Sequence, residues 1–226
     1  MPAASDDGPA KGPPFRFYGR RRGKPPSPRQ QRLLDELLPR LTPDPGNLPD
    51  GPLWLEIGSG GGEHLTAQAA RNPDITLIGC EPFLEGAAKT LSVIETDGLD
   101  NIRLQADDAR PFLEGMPAHC IDRAFILFPD PWPKLRHHKR RIVSNENLDR
   151  LARIIKPGAP LRIATDHMDY ARWILSHMLA HPGFEWTAER ADDWRLPPAD
   201  HVETRYERKA RDKGDLPLFF DFRRRT

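Results

Sequence analysis

Three carboxylates in the first half of this sequence are spaced to hold a nucleoside ligand that carries positive charge. The segment Leu55-Glu56-Ile57-Gly58-Ser59-Gly60-Gly61-Gly62-Glu63 sets a glycine-rich turn directly after a short apolar run and before a helical stretch. Glycine at Gly58 and Gly60 lets the backbone take positive φ and approach a ligand closely. Glu81 follows Gly62 by nineteen residues, at the tip of the second apolar run, where an α/β nucleotide site places a carboxylate that accepts from both ribose hydroxyls. Asp108, just beyond the third run, is able to accept from an adenine amino group. A pyrophosphate at the helix N-terminus would be repelled by Glu56 and Glu63. The acidic rim therefore favours a sulfonium donor, S-adenosyl-L-methionine, over a dinucleotide. A plain strand-to-helix turn would share the glycines, but not the two further carboxylates at successive strand tips.

A second constellation follows the fourth apolar run: Phe128-Pro129-Asp130-Pro131-Trp132-Pro133-Lys134. Three prolines stiffen the loop and hold Asp130 at the sheet's carboxyl edge. An Asp in such a loop also serves as a simple turn cap. Its company argues otherwise, because Trp132 can stack on a base and Lys134, Arg136, His137, His138, Lys139, Arg140 and Arg141 follow with no acid among them. Such a run fits a phosphate backbone as well as a solvated helix face. Two more basic segments, the arm around Arg16–Lys24 and residues 205–213 with Arg223-Arg224-Arg225 behind, turn the balance towards a structured RNA.

The elements that would position these groups alternate. Apolar runs at Leu53–Ile57, Ile75–Cys80, Ile102–Gln105, Ile121–Phe128 and Leu161–Thr165 read as strands, with helices expected at Glu63–Arg71, Phe83–Glu95, Ile142–Ile155 and Met168–Leu179. The basic run is expected to open the helix that reaches Ile155. Alternation of this kind implies an α/β fold, a mainly parallel sheet with helices on both faces. Phe184–Thr187 and Leu216–Phe222 would close its edge as an antiparallel hairpin. Ahead of the sheet, Leu33, Leu34, Leu37, Leu38 and Leu41 recur at helical spacing, so a docking helix is expected over Arg29–Leu41. Residues 1–30, rich in Pro, Gly and Arg, read as a disordered basic arm, leaving residues 31–226 as one domain.

Length and composition bound the rest. A chain of 226 residues suits one sizeable core, and 38% hydrophobic content suffices once the arm is set aside. Cys80 and Cys120 lie apart in apolar runs with no paired His, which speaks against a disulfide framework or a zinc site and for buried thiols in a reducing compartment. No run approaches a membrane span and no signal peptide is recognisable, so a cytoplasmic protein without membrane or metal partner is expected. The net charge of +1 supplies little long-range field. Its segregation carries the argument.

Phe128-Pro-Asp-Pro-Trp-Pro-Lys134 with Arg136-His-His-Lys-Arg-Arg141 resembles the signature of the bacterial tRNA (guanine-N7)-methyltransferase family. The likeness extends to Gly19-Arg-Arg-Arg-Gly23, Glu56-Ile-Gly-Ser-Gly-Gly-Gly62, Ala164-Thr-Asp-His167 and Thr204-Arg-Tyr-Glu207. It implies a Rossmann-like class I methyltransferase fold, and methyl transfer from S-adenosyl-L-methionine to N7 of the variable-loop guanosine, position 46, in tRNA. Cofactor contacts would fall to Glu56, Glu81, Asp108 and Asp130. Lys134, Asp166, Thr204, Arg205, Tyr206 and Glu207 would contact tRNA, and residues 136–141 would form an RNA-interacting stretch. Leu135 stands where the family commonly has a basic residue, and Cys80 where it has an aliphatic one. A methyltransferase for small molecules or proteins would share the glycine turn, but has no use for the segregated cations. A non-enzymatic RNA-binding scaffold would have no use for the strand-tip carboxylates. Monomer and homodimer fit the sequence equally.

Overall fold

The computed structural model describes residue 19, residues 23–212, residue 214 and residues 216–226, apart from the side chains at 206, 209 and 210. Most of the arm expected over residues 1–30, Lys213 and the Tyr206 side chain thus lie outside the described residues. Ahead of the sheet, α1 (Pro28–Arg32), a π-helical turn (Leu33–Leu37) and α2 (Leu38–Leu41) run on as one amphipathic rod. Ser27 caps it, with its Oγ accepting from the Gln30 N–H and the Gln30 side chain accepting from the Ser27 N–H. The rod docks because its leucines fall on one side: Leu33 is fully buried against Ala87, Leu91 and Leu104. Arg29 and Arg32 then reach Glu95.

The alternating core follows the expected order. It comprises β1 (Leu53–Ile57), α3 (Glu63–Arg71), β2 (Thr76–Cys80), α4 (Leu84–Asp97), β3 (Ile102–Gln105), α5 (Ala109–Gly115), β4 (Arg123–Leu127), a 3-10 helix (Leu135–Arg140), α6 (Asn145–Ile154), β5 (Pro160–Thr165) and α7 (Met168–Ala180). After it come β6 (Phe184–Trp186), α8 (Asp192–Arg195), α9 (Arg205–Arg211) and β7 (Leu218–Arg224). The seven strands among the described residues are ordered β3-β2-β1-β4-β5-β7-β6. β1 to β5 pair in parallel, and β7 lies antiparallel between β5 and β6. The expected terminal hairpin therefore forms, with the last strand inside it and β6 on the rim.

Period-two burial divides the sheet. Leu53, Leu55, Ile57, Ile78 and Ile126 face one core together with Phe112 of α5, Leu148 of α6 and Ile174 of α7. Leu77, Phe125 and Leu127 face the other side, where α3, α4 and the leading rod pack over the β1 to β3 half. Successive strands step outward from β1 in one direction and from β4 in the other, so the carboxyl ends of β1 and β4 flank a crevice at the switch point.

Two local expectations are corrected. The basic run does not open the helix that follows it; it forms its own 3-10 turn, and Arg141 to Ser144 separate it from α6. The break is enforced by Val143, fully buried in the core, whose carbonyl accepts from the Trp173 indole. Cys80 is buried as expected, whereas Cys120 is only half-buried.

Candidate active site

A cleft of about 1100 Å³ opens over the carboxyl ends of β1, β2, β4 and β5. Its floor is the β1–α3 turn. Gly58, Gly60 and Gly62 all take positive φ (79°, 57° and 83°), a conformation that L side chains rarely adopt. A Cβ at Gly62 would also strike Thr90, while one at Gly58 would meet nothing within 4 Å. Gly86, which belongs to no motif, brings the start of α4 so near that its own Cβ would stand 2.5 Å from the Gly60 carbonyl oxygen.

Glu81 holds this turn from the tip of β2. Its carboxylate accepts from the Gly60 N–H at 2.7 Å and from the Phe83 N–H at 2.8 Å. Burial raises its pKa above the ordinary carboxylate value, the two backbone bonds offset part of that, and the charges of Asp130 and Glu56 push it further up. Glu81 thus feels both other carboxylates across the cleft. A bound cation would relieve that repulsion, and S-adenosyl-L-methionine, a sulfonium with ribose hydroxyls, fits this donor set where a pyrophosphate does not.

Glu56 is buried and paired with His64 Nδ1 at 2.7 Å. Asp108 caps α5, accepting from the Arg110 N–H at 3.0 Å and from the Arg110 guanidinium at 2.6 Å. Sequence reasoning passed over α5, although Asp108 followed closely by Pro111 is a helix-start signal. Among the described residues there is no group of three His, Cys, Asp or Glu arranged to hold a metal ion. No described helix is long and apolar enough to cross a membrane.

The opposite wall is the Pro-Asp-Pro-Trp loop. Phe128 and Trp132 both sit at positive φ (50° and 44°), strain of the kind that needs external support. Arg141 supplies it. Its side chain is fully buried, donates Nε to the Pro131 carbonyl at 2.8 Å and pairs with Asp169 at 2.5 Å, while lying over the Tyr170 and Trp173 rings. Asp130 is exposed on the cleft side, and desolvation by the surrounding protein raises its pKa above the ordinary carboxylate value. Arg140 covers the Trp132 ring at 4.8 Å. Desolvation first, and then the charges of Arg140, Arg136, Lys134 and Lys139, lower the His137 pKa.

The cleft wall brings Glu56, Gly58, Gly60, Glu81, Asp108, Asp130, Lys139, Arg140, Arg141, Asp166, Thr204 and Arg205 together. Lys134, Arg136, His137, His138 and Glu207 lie off that wall. Thr204 caps α9, its Oγ1 accepting from the Glu207 N–H at 3.2 Å, and the buried Glu207 turns inward to His201 at 2.6 Å. The Thr-x-x-Glu spacing thus serves the start of a helix here. Arg224 and Arg225 likewise satisfy backbone carbonyls at Ala152 and Phe184.

Residues 50–217 match the sequence profile of the family described as "Putative methyltransferase". The chain is 52% identical to a tRNA (guanine-N(7)-)-methyltransferase of Rhodospirillum rubrum, over 93% of this chain and 88% of the relative. It is also 52% identical to one of Hyphomonas neptunium, over 92% and 99%. In fold it is similar to the 16S rRNA methyltransferase KamB (TM-score 0.57, 17% identity, 85% of this chain and 93% of that one). A SAM-dependent O-methyltransferase of Thermotoga maritima gives a TM-score of 0.52 at 15% identity, over 88% and 66%. With half of its residues shared with such relatives over nearly their whole length, the chain belongs to the tRNA (guanine-N(7)-)-methyltransferase family.

Proposed function

We propose that this protein transfers a methyl group from S-adenosyl-L-methionine to N7 of the variable-loop guanosine, position 46, in tRNA, acting in the cytosol. The observation that carries the reading is one cleft with a carboxylate-lined nucleoside floor facing a strained, cation-flanked Asp130 loop. Residues 31–226 act as one catalytic domain, with the basic arm of residues 1–30 ahead of it to add phosphate contacts.

When bound, the cofactor supplies an electrophilic methyl on a sulfonium. Glu81 holds the ribose end through its rigid tie to the Gly60 turn, and Gly58 leaves room for the ligand against the backbone. Guanine N7 has an in-plane lone pair and no proton, so the chain needs no general base; its work is alignment, worth on the order of 7–11 kcal/mol in the best cases. Asp130, open to the cleft, bonds the Watson–Crick edge of the guanine and balances the charge that develops on the ring. Asp166, Thr204 and Arg205 complete the base-side wall, and Lys134, Arg136, Lys139 and Arg140 hold phosphates. These contacts also offset the few kcal/mol needed to expose a base from a folded RNA core.

The test is nucleoside analysis of unmodified tRNA after incubation with protein and cofactor. The expected product is 7-methylguanosine at position 46, with Asp130→Asn slowing turnover at saturating cofactor at least about 100-fold. Methylation at another atom, or full turnover by Asp130→Asn, overturns the assignment.

A further inference from the structure

Opposite α5 to α7, the sheet is roofed by two different things. Over β1 to β3 lie α3, α4 and the leading rod; over β4, β5 and β7, residues 200–204, which join α8 to α9, close the face. His201 packs edge-on against Phe219 at 4.8 Å. One residue of that roof is held from three sides. The Asp200 carboxylate accepts from Arg123 of β4 at 2.5 Å and from Arg162 of β5 at 2.7 Å, and its carbonyl accepts from Gln68 of α3 at 2.9 Å. Arg162 is buried within the sheet and also pairs with Asp221 of β7. Burial alone would raise the Asp200 carboxyl, but the two guanidinium groups outweigh it and hold it at about 2.

The Gln68 connection leads back to the cofactor side of the cleft. The Gln68 amide nitrogen also lies 3.3 Å from His64 Nε2, and His64 Nδ1 lies 2.7 Å from Glu56. With both Gln68 hydrogens donated, His64 Nε2 is an acceptor and its proton sits on Nδ1, facing the carboxylate. Glu56 lines the cleft at one end of this chain, and four and five residues beyond Asp200 come Thr204 and Arg205, which line it at the other.

We infer that Asp200 is a positioning residue, the pin that sets the Thr204–Arg205 wall against the cofactor floor through Arg123, Arg162 and the Gln68–His64–Glu56 chain. It does not line the cleft itself. The role of the wall it positions rests on the tRNA reading above, whereas the pin itself does not.

Asp200→Asn is to be compared with the wild type by amide hydrogen exchange over residues 201–207, by steady-state kinetics in tRNA, and by calorimetry of cofactor binding. Gln68→Met, which leaves both ion pairs standing, serves as the second variant. Asp200→Asn is expected to speed exchange over 201–207 and to raise the KM for tRNA about tenfold, with cofactor Kd within about twofold; a tenfold change corresponds to about 1.4 kcal/mol. Gln68→Met should raise the tRNA KM about threefold in the same direction. Unchanged exchange overturns the pin. Faster exchange with an unchanged tRNA KM, or with KM and cofactor Kd rising in equal proportion, overturns the positioning role. Should Asp200→Asn not fold, an unchanged tRNA KM in Gln68→Met overturns it alone. A wild-type protein that leaves tRNA unmethylated sinks the functional reading instead, and exchange still decides the pin.

Discussion

The two walls of the cleft are built on different physics. The cofactor floor is made of backbone: glycines at positive φ, a carboxylate tied to two N–H groups, and a helix start packed so closely on the turn that a Cβ at Gly86 would clash with it. The base-side wall is made of loops held through partners remote in sequence: the Asp130 loop, strained at Phe128 and Trp132, by Arg141 and its contacts on α7, and the start of α9 through Asp200 and its contacts on β4 and β5. A floor of hydrogen-bonded backbone is preformed before ligand arrives. The other wall is only as rigid as a few ion pairs, which suits a surface that must accept a large RNA and release it.

That contrast can be broken most forcefully at Arg141. Arg141→Met removes the bond to Pro131 and takes the guanidinium away from Asp169, at a cost of about 2 kcal/mol and hence roughly 4–8 °C in Tm for a chain of this size. Turnover should fall far more, by roughly 100-fold, because Phe128 and Trp132 lose the support that maintains their strain. A variant with normal Tm and normal turnover would mean that the loop holds itself.

The floor is probed by pH. The carboxyl pKa of Glu81 is raised, so the anion that accepts from the Gly60 and Phe83 N–H groups, and that we propose as the ribose acceptor, is lost on acidification at a higher pH than for an ordinary carboxylate. Cofactor affinity in calorimetry should therefore weaken as pH falls from neutral through that raised value. Glu81→Gln should bind about tenfold more weakly at neutral pH, with little pH dependence left. A flat wild-type profile would remove Glu81 from cofactor recognition.

The smallest effect is expected on the exposed cations. Replacing Arg136 and Lys139 together by Ala should lower the slope of log affinity for tRNA against log salt by roughly 0.7–0.9 for each phosphate left unneutralised. Cofactor binding should be untouched. An unaltered slope would take the 3-10 turn out of the RNA interface and leave the arm and α9 to supply it.

The strands were legible because buried parallel strands read as short apolar runs, and the expected β1 and β3 coincide with those observed. The cofactor floor was legible for a related reason: a glycine turn and its carboxylate are local, joined by one βαβ unit. What escaped the sequence is non-local. Nothing in the run Lys134 to Arg141 distinguishes the arginine that turns inward from the cations that face solvent, because the difference is made by Tyr170, Trp173 and Asp169 of α7. Glu207 looks like part of an RNA-facing motif until His201 folds beneath it, and Asp200 belongs to no motif at all.

The order of elements, the glycine turn and the supply of acids and cations are written in the chain itself, since periodicity and spacing suffice to express them. Which charges are spent on holding the protein together, and which remain for a ligand, is settled only once the chain has folded. A charged side chain is satisfied by whatever lies within about 3 Å of it in space, and those neighbours come from strands and helices dozens of residues away.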